Sequence, residues 1–341
     1  MKHARVLALV ALAVAIGVFA CSVGLRIGGE YTTRWLDCGL TVAAATLASV
    51  SCWATARRQE GRLRTFWALL GCATAAWAIG EAAWGYDSVI RHDAVIPFPS
   101  WPDVPFLAAI PLTILALAIH PATSASLTRR TRWLFDGLVA ATALLFLSWT
   151  LVLGPVWRGA DLGTLSGVVS LAYPFGDVVI VFFVVLVIRG MVPDDRRALW
   201  WLLVALLAMA LADSTSFSFV ASDDYTSPGL IDMGWFVAYL GIAFAAFSAR
   251  SAPPAIRPRR SGPSLASLVA PIALVLVTLT VTAVEIRLGH GLDATSRAVA
   301  IVLIALVLTR QVLALIELLL PGHDGSGTRA DRLERVALGG R

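Results

Sequence analysis

Ten long apolar segments run through the chain, and they limit it to folds that place helices across a lipid bilayer. Each is close to the ~20 residues that an α-helix needs to cross ~30 Å of hydrocarbon. The composition agrees, because a chain with 58% hydrophobic and 14% charged residues cannot cover a water-facing surface. The predicted segments are 4–27, 36–56, 65–86, 104–120, 133–153, 167–188, 198–220, 231–248, 264–286 and 294–314. We therefore predict an all-α, polytopic integral membrane bundle of about ten transmembrane helices.

Lysine and arginine are divided unevenly between the two ends of the predicted transmembrane helices. When the segments are placed alternately across the membrane, 21 of the 27 basic residues fall on one side. Basic residues are enriched in cytoplasmic loops, so that side is predicted to be cytoplasmic. The sequence thus predicts a multi-pass membrane protein with both termini in the cytoplasm. An anionic lipid surface is a sufficient partner for the net charge of +5, and we expect no nucleic-acid binding.

The first segment has a second interpretation as a lipoprotein signal that is cleaved before Cys21. A charged start and an apolar run from Val6 to Phe19 are typical of such signals. Phe19 fits the cleavage site poorly, however. An uncleaved first helix is therefore the favoured interpretation.

An arginine followed three residues later by a tryptophan opens three of the predicted helices at the inner side. These pairs are Arg64 and Trp67, Arg130 and Trp133, and Arg197 and Trp200, spaced 66 and 67 residues apart. The returning helices align as well, at runs that begin with Ala109, Ala172 and Ala238, spaced 63 and 66 residues apart. Two patterns with nearly the same spacing predict three copies of a helical hairpin of about 66 residues, all in the same orientation. Parallel repetition disfavours a transporter with inverted halves.

The repeats divide the chain into five predicted parts. They are a first transmembrane hairpin (1–56), a three-hairpin repeat region (57–248), a basic Pro-rich cytoplasmic linker (249–263), a last transmembrane hairpin (264–320) and a cytoplasmic tail (321–341). The linker is placed where proline and arginine concentrate between apolar segments.

Polar side chains gather in the predicted outer half of the helices. Burying an ionisable group in lipid is costly, so each is a candidate for ligand binding. Glu81 ends the third segment, with Trp77 and Trp84 on the same helical face, and Asp177 follows Tyr173 by one turn. The full set of candidates is Glu81, Trp101, Asp103, Tyr173, Asp177, Asp213, Asp232 and Trp235.

Several of these candidates also have a structural interpretation. Asp103 and Asp232 stand at predicted helix starts, where carboxylates cap free N–H groups. Tyr173 precedes a proline and is typical of a helix kink. Glu81 and Asp213 stand at C-terminal helix ends, where the helix dipole opposes a negative charge. These two acids therefore either serve a ligand or pair with an arginine or tyrosine.

The sequence carries no GxSxG, HExxH, P-loop or glycine-rich nucleotide motif in a suitable context. Its five histidines supply no pair at one depth of the bundle for a haem. An outer metal site of His92, Asp93, His290 and Asp293 is disfavoured, because their loops are far apart in sequence. We therefore expect no catalytic residue, no metal and no cofactor, and we do not expect an enzyme.

Three runs combine proline, aromatic and aspartate residues at the predicted outer side. They are Pro97–Pro111, Leu171–Asp177 and Asp232–Tyr239. Together they resemble the multi-pass membrane region found ahead of GGDEF and EAL domains in actinobacterial cyclic-di-GMP proteins, over roughly residues 30 to 315. In that family the region is regarded as a sensory input, and a final helix, here matched by Leu308–Leu315, carries a signal into a cytoplasmic enzyme. The resemblance therefore implies signal transduction by a protein of the bacterial inner (cytoplasmic) membrane.

The chain departs from that family after Leu320, where about 20 residues follow without a GGDEF or EAL motif. We accordingly expect no cyclase activity and a separate cytoplasmic signalling partner. The sequence favours a sensor-like protein that binds an undefined ligand on its outer half. A cation- or proton-coupled transporter or channel is the main alternative, and an intramembrane transferase is the third. A homodimer through the last helix is predicted by the heptad spacing of Val299, Val302, Leu306, Thr309, Leu313, Ile316 and Leu320.

Overall fold

The computed structural model describes residues 2–91, 97–123, 127–150, 154, 157, 164–191, 196–221, 229, 231–250, 265–289 and 291–319. Within these residues the fold is all-helical and no strand occurs. The helices are α1 (Lys2–Gly24), α2 (Gly29–Ala56), α3 (Gly61–Gly85), α4 (Asp103–Ile119), α5 (Leu127–Ser148), α6 (Leu165–Gly190), α7 (Arg197–Ala221), α8 (Asp232–Ala249), α9 (Leu265–Arg287) and α10 (Ala294–Leu319). Each predicted segment coincides with one of them, so the all-α prediction is confirmed.

The largest difference from the predicted boundaries is at α2. This helix begins at Gly29, two turns before the predicted start at residue 36. The added turns are polar and amphipathic, which hides them from a search for apolar runs. Gly28 precedes the helix with a φ of 84°, a left-handed conformation that glycine adopts without steric cost.

Seven of the described helices are long and apolar enough to cross a membrane. They are α1, α2, α3, α6, α7, α8 and α10. Two further apolar stretches, Asp103–Ile119 and Leu134–Ser148, are shorter. Length and composition therefore make the protein a multi-pass helical membrane bundle.

Six helices pack in a closed ring. In order around it, α2 packs against α3, α3 against α4, α4 against α6, α6 against α7, α7 against α8, and α8 against α2. We call these six the ring helices. Outside the ring, α5 packs against α6, and α9 and α10 pack against α5. The remaining helix, α1, lies against both α2 and α8 and stacks Phe19 on Phe236 with ring centroids 4.3 Å apart.

Glycines let neighbouring ring helices approach closely. A Cβ on Gly241 of α8 would lie 2.8 Å from the Cβ of Ala205 on α7. A Cβ on Gly71 of α3 would lie 2.8 Å from the indole of Trp53 on α2. Lipid tails are as apolar as the side chains, so membrane helices associate largely through this kind of close packing.

The two ends of the bundle differ in chemistry. We call the end where α3 ends and α4 begins the cavity end, and the opposite end, where α2 ends and α3 begins, the basic end. At the basic end, the guanidinium of Arg62 donates to the carbonyl of Ile119 at 2.8 Å. Arg250 likewise donates to the carbonyl of Ser51 at 2.8 Å. Ile119 is the last residue of α4, so its carbonyl has no partner within the helix, and Arg62 satisfies it.

A buried ion pair joins α10 to α5. Arg310 donates through Nε to Oδ1 of Asp136 at 2.8 Å, and both side chains are at most 2% exposed. The sequence count had assigned Arg310 to the cytoplasmic side as a loop-type charge. The structure corrects this assignment, because the residue lies inside α10. The bias of the remaining basic residues toward one side is unchanged.

This pair yields a prediction for stability. Arg310→Met should lower the free energy of unfolding by about 3–5 kcal/mol, because it leaves the Asp136 carboxylate buried without its partner. The double variant Asp136→Leu/Arg310→Met should recover most of that loss. Thermal unfolding of the purified protein in detergent measures both. Arg297→Met, at the exposed opposite end of α10, is the matched control and should change little. An Arg310→Met protein as stable as the wild type would contradict the pairing.

Candidate functional site

A cavity of about 160 Å³ opens among the ring helices at the cavity end. Every ring helix contributes to its wall, together with Phe98 from the segment before α4. The lining residues are Asp37, Cys38, Thr41, Trp77, Glu81, Trp84, Phe98, Asp103, Phe106, Tyr173, Met209, Asp213, Ser216, Asp232, Trp235 and Tyr239. The wall is therefore built from aromatic rings and carboxyl groups.

Five of these lining residues are acidic. They are Asp37, Glu81, Asp103, Asp213 and Asp232. No lysine or arginine belongs to the wall in the part of the chain that the structure describes. Like charges repel strongly where water is scarce, so these groups need hydrogen-bond donors, shared protons or a bound cation.

Two tyrosines donate hydrogen bonds to two of these acids, each joining two different ring helices. The hydroxyl of Tyr239 on α8 donates to Glu81 on α3 at 2.8 Å. The hydroxyl of Tyr173 on α6 donates to Asp103 on α4 at 2.7 Å. Of the partners that the sequence left open for Glu81, the structure shows a tyrosine.

Asp103 and Asp232 hold the starts of α4 and α8. The N–H of Ser100 donates to Oδ2 of Asp103 at 2.7 Å, and the N–H of Gly229 donates to Oδ2 of Asp232 at 2.8 Å. The donors lie three residues before each aspartate, outside the helix, and the residues at the N-caps are Pro102 and Ile231. The carboxyl groups therefore fix the chain leading into each helix and, contrary to what the sequence had suggested, do not cap its free N–H groups. For Asp103, the oxygen that remains is the one that accepts from Tyr173. The carboxyl group of Asp103 thus holds the start of α4 and also links α4 to α6 in the cavity wall.

Carboxyl groups also meet each other in two places. Asp37 on α2 lies within hydrogen-bonding reach of Asp232 on α8. Asp177 on α6 lies within reach of Asp213 on α7. Two carboxylates in contact cannot both stay charged in a medium of low dielectric, so each pair holds a proton or gains a cation. The contacts between α2 and α8 and between α6 and α7 therefore both depend on what occupies these acid pairs.

Two indole N–H groups complete the set of donors to acids. Trp235 donates through Nε1 to Asp213 at 2.6 Å, within the cavity. Trp101 donates through Nε1 to Asp87 at 2.6 Å. Trp101 is 52% exposed and is not a lining residue, so the structure separates it from the other candidates.

Six of the eight sequence candidates line the cavity together. They are Glu81, Asp103, Tyr173, Asp213, Asp232 and Trp235. Asp177 is not in the wall and meets the cavity through Asp213. Binding of a ligand by these residues stays a prediction.

Of the wall residues that were not among the sequence candidates, Asp37 and Tyr239 matter most for the chemistry of the wall. Asp37 was placed at the edge of a segment because the start of α2 was set too late; with the helix beginning at Gly29 it lies more than two turns inside. Tyr239 had a usable signal, because the repeat aligns it with Tyr173. An intramembrane acid and a repeat-equivalent tyrosine would both have qualified as candidates.

Asp37 differs from the other acids of the wall. Its side chain is 6% exposed, and its Oδ1 has no hydrogen-bond partner. A buried acceptor without a donor costs about 1–3 kcal/mol, and more when it is charged. Such an atom beside a cavity marks the place where a ligand donor or cation would be most favourable.

The disfavoured metal site is only partly described. His92, Asp93 and His290 lie outside the described residues. Asp293 is described, and it accepts from the indole of Trp149 at 3.1 Å and from the N–H of Ser296 at 2.7 Å. Among described residues, no three His, Cys, Asp or Glu side chains are arranged to hold a metal ion.

Comparison with known proteins returned no match to a protein-family model, a curated protein or a solved structure. Function is therefore argued from the cavity itself.

The hydrogen bond between Tyr239 and Glu81 can be tested by a double-mutant cycle. The variants Tyr239→Phe, Glu81→Ala and their combination should show a coupling of about 1 kcal/mol, within the range measured for hydrogen bonds between membrane helices. Unfolding in detergent supplies the free energies. The control cycle pairs Tyr239→Phe with Asp87→Ala, whose carboxylate meets Trp101 instead, and should give no coupling. Additive effects in the first cycle would contradict the geometry of the wall.

Proposed function

We propose that the protein is a sensor-like membrane receptor, which holds a small ligand in the ring cavity and passes a signal to a separate cytoplasmic partner. One observation carries the proposal, namely that all six ring helices contribute to one cavity wall. A ligand in the cavity contacts every ring helix at once. It can therefore favour one arrangement of the ring over another in proportion to its differential affinity.

In this proposal the cavity end faces outward from the bacterial inner membrane, and ten helices cross it with both termini in the cytoplasm. The support is the sequence bias, which with Arg310 left out puts 20 of the other 26 basic residues on the opposite side. Arg62 and Arg250 belong to that majority, and both donate to helix carbonyls at the basic end. An outward cavity would receive its ligand without transport.

The three parallel hairpins would be α3 with α4, α5 with α6, and α7 with α8. Asp103 and Asp232 support this repetition, because both make the same N–H contact at the starts of α4 and α8. Tyr173 and Tyr239 support it too, because both donate to an acid. The packing follows the repeat only in part: α5 lies outside the ring, and α2 of the first hairpin occupies a ring position instead.

Between the cavity and the basic end, the inside of the ring is packed with apolar side chains. This packing favours ligand binding over ion conduction. Toward the basic end, within two turns of the cavity wall, lie Leu70, Leu202 and Ile242, all 0% exposed. These apolar side chains pack in one continuous core. In this arrangement an ion has no polar route onward from the cavity through these residues, which suits a receptor.

The signal would leave through α10. The route runs from α6 to α5 by packing, and from α5 to α10 by the Asp136–Arg310 pair. The resemblance to membrane regions ahead of GGDEF and EAL domains supports an output of this kind. A homodimer through α10 is compatible with the route, since Val302 and Ile316 of the heptad are 51% and 46% exposed.

A proton- or cation-coupled transporter is the second candidate, and the two acid pairs favour it. Acid chains that exchange protons are typical of transporters. Proton flux into proteoliposomes under an imposed pH gradient, abolished by Asp37→Asn, would identify that function. A receptor should show no flux above that of empty vesicles.

Cys38 offers a test of the receptor that needs no knowledge of the natural ligand. This cysteine lines the cavity, so a methanethiosulfonate reagent with a small trimethylammonium group would fill the site covalently. A fluorescent amino acid at Leu313 would report on the far end of α10. We expect the reagent to shift the emission at Leu313, because the ring, α5 and α10 are in contact. The other cysteines would be replaced by alanine: Cys21, Cys52 and Cys72.

The control protein carries Cys38→Ala and should not respond to the reagent. Mass spectrometry establishes that Cys38 was modified, and Thr41→Cys supplies a second attachment point in the same wall. Full modification at both positions without any change at Leu313 would contradict signalling through α10.

A further inference from the structure

We infer that the ligand of the ring cavity is a small organic cation, with an amine or quaternary ammonium group of choline size or smaller. The inference rests on the proposed function insofar as it takes the cavity to be a binding site. It names the chemical class that the wall would recognise, which the receptor proposal left open.

Charge selects a cation. Five carboxyl groups face the cavity and no basic side chain does so among the described residues, so an anion would meet repulsion from every side. Asp37 adds to the attraction for a cation, because its carboxyl group is buried in the wall and its Oδ1 atom accepts no hydrogen bond. A cationic ligand beside Asp37 would also relieve its contact with Asp232, because the positive charge offsets the repulsion between the two carboxyl groups.

The aromatic residues select an organic cation over a metal ion. Trp77, Trp84 and Trp235 share the wall with Phe98 and Phe106. Ring faces attract ammonium groups, and cages of aromatic and acidic residues are the usual sites for quaternary ammonium ligands. Metal ions require several oxygen ligands around one point. Among described residues no such convergence occurs, since the acids are spread around the wall.

The volume limits the size of the ligand. The cavity measures about 160 Å³. A cavity of roughly 150 Å³ accommodates a molecule as large as benzene. Tetramethylammonium and choline are of this order, whereas a lipid headgroup with its acyl chains or a peptide is far larger.

The test is equilibrium binding of radiolabelled tetramethylammonium to the full-length protein in lipid nanodiscs. We expect saturable binding, with K⁺ and Na⁺ as poor competitors. Trp84→Leu should weaken the affinity roughly tenfold through the lost ring face, and Asp37→Asn should weaken it at least as much. Trp84 is the better aromatic probe because it is half-buried, and leucine leaves an apolar wall behind.

Matched controls lie outside the cavity. Trp35→Leu removes a tryptophan that is 44% exposed and stacks edge-on against Tyr31, and Glu30→Gln removes an exposed acid that pairs with Arg34. Neither should change the affinity for tetramethylammonium. Thermal unfolding of each variant separates a loss of binding from a loss of folded protein.

The outcomes distinguish this inference from the receptor proposal. Equal binding of K⁺ and tetramethylammonium, with no effect of Trp84→Leu, would overturn the organic cation and leave an inorganic ion in its place. Absence of tetramethylammonium and choline binding would also overturn it, while the Cys38 experiment could still succeed. Tight tetramethylammonium binding without any response at Leu313 would instead support the ligand class and contradict the receptor.

Discussion

The contact between α2 and α8 is the interaction on which the rest of the structure depends. It joins parts of the chain separated by 191 residues, at the hydroxyl of Thr55, which donates to the carbonyl of Ala246 at 2.9 Å. Arg250 reinforces it by donating to Thr55 at 2.9 Å. Both side chains belong to helix ends or their flanks, where backbone carbonyls need donors in a membrane. Without this contact the helices would form an open row, and the acids of α2 and α8 would not face one another.

Closure of the ring also explains why so many acids are tolerated. In lipid an ionisable side chain is costly unless it finds a partner inside the protein. Here each acid of the wall except Asp37 accepts a hydrogen bond from the protein: Glu81 and Asp103 from tyrosines, Asp213 from Trp235, and Asp232 from a backbone N–H. Asp37 retains an acceptor without a donor. The same closure that shelters these groups therefore leaves one site whose attraction for a cation is unsatisfied.

The sequence predicts the elements of this fold well and their arrangement poorly. Apolar runs of about 20 residues indicate helices locally, so the ten long helices among the described residues were located. The order of the helices around the ring could not be predicted from the sequence, because no local feature of α2 or α8 indicates that they pack together. The same reason hid the Asp136–Arg310 pair, whose members are 174 residues apart. Asp37 was missed because a polar first stretch masked the true start of α2.

Ring closure is tested most directly by cross-linking Thr55→Cys to Ala246→Cys in a protein whose native cysteines are replaced. A protease site inserted between α6 and α7 then cuts the chain, and a denaturing gel shows whether the two halves stay joined. The account predicts that a short thiol-specific linker joins them efficiently. Val50→Cys, which is 59% exposed on α2, should not join to Ala246→Cys. Equal joining from positions 50 and 55, or none from position 55, would mean that α2 and α8 do not close the ring.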